Sequence, residues 1–157
     1  MIKKLPRGIS RGIGFRDLKQ FRADCYEVAR TIHAKVLEVR EGGQYRNYRL
    51  CRMQLREYHN CNSMNVTILL NYYMLAFSST EDIPFVFFDV PLLQAAFESL
   101  EYEVPAFESL KYEVLTKEYL ETDPTEEHVA DLSAEELKDY RYWTPNQIGQ
   151  IIFNHWD

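Results

Sequence analysis

Tyr45-Arg46-Asn47-Tyr48-Arg49-Leu50-Cys51-Arg52-Met53-Gln54-Leu55-Arg56-Glu57-Tyr58 alternates between basic and apolar residues along its length, and that alternation decides the reading of the fold. Successive side chains of a strand point to opposite faces. A period of two therefore places Arg49, Cys51, Met53 and Leu55 on one face, with Tyr48, Leu50, Arg52, Gln54 and Arg56 on the other, which is expected to be wet. Upstream, Val36-Leu37-Glu38-Val39 reads as a partner strand and Glu41-Gly42-Gly43-Gln44 as the hairpin turn between them. Downstream, His59-Asn60-Cys61-Asn62-Ser63 is turn chemistry. Val66 to Ala76 is apolar on both faces and reads as a central strand. After the polar stretch Ser78-Ser79-Thr80-Glu81-Asp82, Phe85-Val86-Phe87-Phe88 reads as a fourth, buried strand. Tandem strands with short connections imply an antiparallel meander.

Helical periodicity flanks this sheet. Phe15, Leu18, Phe21, Cys25, Val28, Ala29 and Ile32 fall on one stripe, with Arg16, Lys19, Gln20, Asp24 and Glu27 opposite, a helix of about five turns. Gly8, Gly12 and Gly14 ahead of it match neither dinucleotide nor phosphate-loop spacing and read as an irregular lead-in. In the second half, Pro91 is placed to start a helix whose apolar face is Leu92, Leu93, Ala96, Phe97 and Leu100. Ser133 with Glu136 has the capping-box spacing, and Thr144-Pro145-Asn146-Gln147 repeats that signature before a last helix. There Ile148, Ile151, Ile152 and Trp156 form a stripe expected to be core. The fold class that follows is α+β: a single domain over 1–157 with a mainly antiparallel sheet of about four strands, packed by N-terminal and C-terminal helices.

The composition agrees with a folded globular chain. Of 157 residues, 46% are apolar, 27% charged and 14% aromatic, which excludes the low-aromatic, highly charged class of disordered chains. No apolar run approaches the roughly 18 residues of a membrane span, and Met1-Ile2-Lys3-Lys4-Leu5-Pro6-Arg7 has no apolar segment behind its charges. Three cysteines, Cys25, Cys51 and Cys61, cannot all pair, so free thiols in a reducing cytoplasm are expected.

One nine-residue segment occurs twice. Ala96-Phe97-Glu98-Ser99-Leu100-Glu101-Tyr102-Glu103-Val104 recurs as Ala106-Phe107-Glu108-Ser109-Leu110-Lys111-Tyr112-Glu113-Val114, eight of nine residues matching. The offset of ten turns an α-helix through about 1000°, so both copies cannot share one helix face, and a chain break at Pro105 is expected. A packed core has no second cavity for a copied Phe, so the two copies should be structurally unequal.

Catalytic and metal motifs are lacking in the sequence. His59, Cys61 and Cys51 do not have zinc-ligand spacing. His33, His59, His128 and His155 sit in no nucleophile or carboxylate motif, so no catalytic residue and no cofactor is expected. Arg46, Arg49, Arg52 and Arg56 interleaved with Tyr45, Tyr48 and Tyr58 have the look of a nucleic-acid-binding sheet. The overall charge of −6 and a pI near 5.3 argue against it. Residues 1–79 carry 14 Lys and Arg against 6 Asp and Glu; residues 80–157 carry 4 against 18. The second half is thus net −14, and Glu118, Glu121, Asp123, Glu126, Glu127 and Asp131 crowd into one stretch of it.

Leu5-Pro6-Arg7-Gly8 followed by Gly14-Phe15-Arg16-Asp17-Leu18 resembles small bacterial proteins. So does the ending Tyr142-Trp143-Thr144-Pro145-x-x-Ile148-Gly149-x-Ile151-Ile152-Phe153-Asn154-x-Trp156-Asp157, which is similar to immunity proteins of polymorphic, contact-dependent toxin systems. The resemblance implies a cytoplasmic protein whose partner is a cognate protein toxin. A nuclease toxin would be basic, and an acidic inhibitor could occupy its phosphate-binding cleft. The six acidic residues are then the expected partner-binding surface. The alternative is a small-molecule-binding or enzymatic α+β domain with a pocket between the sheet and the first helix.

Overall fold

The computed structural model describes residues 3–12, 17–56, 63–100, 102–103 and 109–156. Phe15, Gly14, the His59–Cys61 turn and Phe107 therefore lie outside the described residues. Asp17 opens α1 (Leu18–Ile32) with a capping box: its carboxylate accepts from Gln20 N–H at 2.8 Å, and Gln20 Oε1 accepts from Asp17 N–H at 3.0 Å. His33 closes the helix in a left-handed conformation, φ 60°. Phe21, Cys25, Val28 and Ala29 are buried as their spacing predicts. Asp24 is buried too, against its expected place on the polar side, because Tyr112 supplies it with a hydrogen bond at 2.5 Å.

The sheet has five strands in the order β1 (Lys35–Glu41), β2 (Arg49–Arg56), β3 (Ser63–Asn71), β4 (Met74–Ser78) and β7 (Glu113–Val114). The first four form the expected antiparallel meander, while β7 joins the edge of β4 in parallel, pairing Met74 with Glu113 and Leu75 with Val114. Tyr45 to Tyr48 are not strand; they belong to the connection after β1, where Gly42 N–H donates to Tyr48 O at 2.9 Å. Two expectations change. Val66 to Ala76 is not one strand but a hairpin, with Asn71 opposite Met74 across Tyr72-Tyr73 and Tyr72 at φ 59°. Without Gly or Asn-Gly at its centre, that turn carries no sequence signal. Phe85–Phe88 is not a strand either: it makes a single bridge, Ser78 to Phe87, beside Ser79 N–H to Val86 O at 2.9 Å.

Side-chain alternation places a core on each face of the sheet. On one face Cys51, Met53, Leu55, Val66, Ile68, Leu70, Leu75 and Phe77 meet α1 and α2 (Pro91–Glu98), whose Leu93 and Phe97 are fully buried. On the other, Leu50, Leu69, Met74 and Ala76 meet Leu5, Ile9, Leu120, Val129, Leu132, Ile148, Ile151, Ile152 and Phe153. The face expected to be wet is thus covered at Tyr48 and Leu50 and reaches water only towards Arg56. The lead-in is likewise core: Ile9 sits in a short 3-10 turn (Ile9–Arg11) and is fully buried with Leu5. Each such large apolar side chain contributes about 1.5–3 kcal/mol of transfer free energy.

The copies of the duplicated segment take different structures. Ser99 and Leu100 of the first follow the end of α2 outside any strand, whereas their counterparts Ser109–Leu110 form β6, antiparallel to β5 (Tyr102–Glu103) of the first. Only the second Tyr-Glu-Val joins the main sheet. The chain continues through α3 (Lys117–Leu120), α4 (Ala134–Trp143) and α5 (Gly149–Ile152). Ser133 and Glu136 form the expected capping box of α4. Thr144, read as the cap of the last helix, instead terminates α4 at φ 44°. The last helix is one turn long, so Trp156 leaves its stripe and is only half-buried; Phe153 and Asn154 are buried in its place.

Candidate functional site

The acidic stretch is an ordered ridge whose apolar residues point inward. Thr116 Oγ1 accepts from Tyr119 N–H at 3.1 Å and starts α3. Leu120, Val129 and Leu132 are buried beneath it, and His128 O accepts from Leu5 N–H at 2.9 Å. His128 Nδ1 takes the Thr125 N–H at 3.0 Å, so this histidine holds a turn. Glu118, Glu121, Asp123, Glu126, Glu127 and Asp131 all remain exposed. Glu121 lies 4.0 Å from Lys117, one turn back, a surface pair that contributes at most about 1 kcal/mol. Three arginines in and just before β2 pair away from the ridge: Arg46 with Asp82 at 3.2 Å, Arg49 with Glu41 at 3.0 Å and Arg52 with Glu81 at 2.7 Å. The ridge is felt nearby. Burial, then the charges of Glu126 and Asp123, raise the Tyr140 hydroxyl, and burial with Tyr73 pushes Tyr119 up to about 12.

A buried polar lattice ties the N-terminal segment to the tail. Glu136 Oε1 accepts from Gly8 N–H at 2.7 Å, and its Oε2 accepts from Ser10 N–H at 3.0 Å and Ser10 Oγ–H at 2.8 Å. Burial acts to raise the Glu136 carboxyl, but these donors and Ser133 N–H outweigh it and hold it below the usual range. Asn71 donates to Ile9 O and Ile152 O at 2.7 and 2.8 Å. Asn154 Nδ2 donates to Ser10 O at 2.9 Å, its Oδ1 accepts from the Trp156 backbone N–H at 3.1 Å, and its backbone N–H donates to Asn47 Oδ1 at 2.8 Å. The stretch from Leu5 to Ser10 and the tail from Ile148 to Asn154 thus meet in one region.

Beside that lattice lies a cleft of about 250 Å³, walled by Pro84, Phe85, Phe87, Trp143, Phe153 and Trp156, with Gln147, Gln150, Asn154 and His155 as its polar members. The Trp143 and Trp156 rings are parallel within 2°, centroids 6.3 Å apart. Gly149 lets the walls close: a Cβ there would stand 2.5 Å from the Phe87 ring. A second cleft of about 280 Å³, with Arg11, Tyr45, Arg46 and Asp139 on its walls, shares Asn154 and Trp156. Both lie on the sheet face opposite α1. The space between the sheet and α1, where the alternative reading puts a pocket, is filled by Phe21, Cys25 and Val28. Sequence reasoning missed the aromatic cleft because its walls come from 83–87 and 143–156; the paired Trp143 and Trp156 on a tail with Pro145 were the available signal.

Among the described residues no three His, Cys, Asp or Glu side chains group to hold a metal ion, and no helix is long and apolar enough to cross a membrane. Cys25 and Cys51 are buried free thiols, and burial, then its neighbour Cys51, raises Cys25. No protein-family model, curated protein or solved structure matches this chain.

Proposed function

We propose that the chain is a toxin-neutralising immunity protein that binds a basic cognate toxin domain through Glu118, Glu121, Asp123, Glu126, Glu127 and Asp131 and occludes it. The observation that carries this reading is that all six carboxylates are exposed on a ridge anchored by buried Leu120, Val129 and Leu132, while Arg46, Arg49 and Arg52 pair with Asp82, Glu41 and Glu81. Such a field steers a basic partner and speeds encounter. The enzymatic or small-molecule alternative draws on the aromatic cleft, but at about 250 Å³ this falls below the roughly 300–1,000 Å³ of most small-molecule sites.

The test is the association rate with a cognate basic toxin domain, as a function of salt. Reversing Glu118→Lys, Glu126→Lys and Asp131→Lys together should slow association by about tenfold or more at low salt and flatten its salt dependence. The unfolding transition should stay in place, since all three side chains are exposed. An unchanged rate and salt slope would sink the reading.

A further inference from the structure

We infer that the aromatic cleft beside the acidic ridge is an anchor pocket for an arginine side chain of the partner protein. This rests on the proposed toxin-binding role of the ridge and names the contact that fixes it. Size argues first: about 250 Å³ suits one long side chain rather than a drug-sized molecule.

The walls argue second. Trp143 and Trp156, parallel within 2°, stack with each other and present flat π faces to the cleft. The Trp156 backbone N–H donates to Asn154 Oδ1 at 3.1 Å, which fixes the chain that carries the ring, and Tyr142 meets Trp143 edge-on at 5.3 Å. A guanidinium is planar and weakly hydrated, so it stacks on such faces more readily than a compact, strongly hydrated ammonium. A preformed surface of this kind loses little side-chain entropy on binding.

Charge argues third. Ile148 N–H donates to Thr122 O at 2.9 Å, which places Glu121 and Asp123, either side of Thr122, next to the Gln147–Gly149 edge of the cleft. Asp82, next in sequence to Ile83 of the cleft, is already engaged by Arg46 at 3.2 Å and adds no free charge. No Lys or Arg is among the described residues lining this cleft, while Arg11 and Arg46 of the neighbouring cleft are held by Asp139 and Asp82. A cation entering past Glu121 and Asp123 onto the aromatic walls meets attraction from both.

The test needs no toxin. Acetyl-arginine amide, acetyl-lysine amide and the neutral isostere acetyl-citrulline amide are titrated into the full chain while the indole N–H signals of Trp143 and Trp156 are followed by NMR. Arginine should move both signals with an affinity in the millimolar range, and citrulline and lysine should bind about tenfold more weakly or worse. Glu121→Gln with Asp123→Asn, both exposed and outside the cleft walls, should weaken arginine several-fold with an unchanged amide spectrum. Trp156→Leu should abolish the response. Equal binding of citrulline, or shifts centred away from the two indoles, overturns the proposal. If arginine binds here yet the ridge reversals leave toxin association unchanged, the pocket stands and the immunity reading falls. If the reversals slow association but arginine moves neither indole, the pocket falls alone.

Discussion

Tyr112 donates its hydroxyl to Asp24 Oδ2 at 2.5 Å, joining the second copy of the duplicated segment to the middle of α1, with both residues buried. Phe97 of the first copy meets the Tyr112 ring edge-on, centroids 5.6 Å apart. Each copy therefore supplies one half of a single core contact. Hydrogen bonds to a charged group contribute about 1.5–3 kcal/mol, so Tyr112→Phe should lower unfolding stability by about that much in urea titration. A change below about 0.5 kcal/mol would show that the hydroxyl is replaceable.

The stretch between those two residues should be removable. Tyr102 is paired with Leu110, so the chain leaves and returns at neighbouring points. Deleting 101–110 keeps Phe97, Tyr112 and β7, and yields the same polypeptide as deleting 96–105. The second copy also follows its Val with Leu115, whose N–H donates to Leu75 O at 2.8 Å; Pro105 at the matching place after the first copy has no N–H to give. The shortened chain should unfold cooperatively, within about 1–2 kcal/mol of the full one. Aggregation or a broad, non-cooperative transition would count against the duplication being an addition to a complete fold.

Glu136 makes stability depend on acid. Its folded carboxyl lies below the ordinary 4.5, so its contribution is present in full above about pH 4.5 and is lost as pH falls through the lower folded value. Glu136→Gln should therefore destabilise the protein at neutral pH by about 1–3 kcal/mol. The gap from the native protein should narrow as pH drops below 4.5. Parallel stability–pH curves for the two proteins would contradict this.

Two tail residues should behave unequally. Ile152 is fully buried, and Ile152→Ala should cost about 2–5 kcal/mol. Trp156 is half-buried in a cleft wall, and Trp156→Ala should cost clearly less despite removing more atoms. Equal losses in thermal melts would place Trp156 in the core after all.

Periodicity determined much of this protein without help. The alternation from Arg49 to Leu55, the stripe from Leu18 to Ile32, Pro91 and the Ser133–Glu136 box each fix a local conformation through neighbours within a few residues, and each was legible as written. The exposure of the acidic ridge was legible too, since six carboxylates in 14 positions cannot be desolvated together. Tertiary structure decided the rest. Asp24 is buried because a hydroxyl 88 positions away reaches it. Glu136 caps its own helix and also binds Gly8 and Ser10, more than 120 positions earlier. The aromatic cleft exists only where 83–87 meets 143–156, and each segment alone has a sufficient local reading, as strand or as core stripe. A window of sequence carries the cost of burying a polar or aromatic group but not the partner that offsets it, and that partner arrives only when distant segments fold against each other.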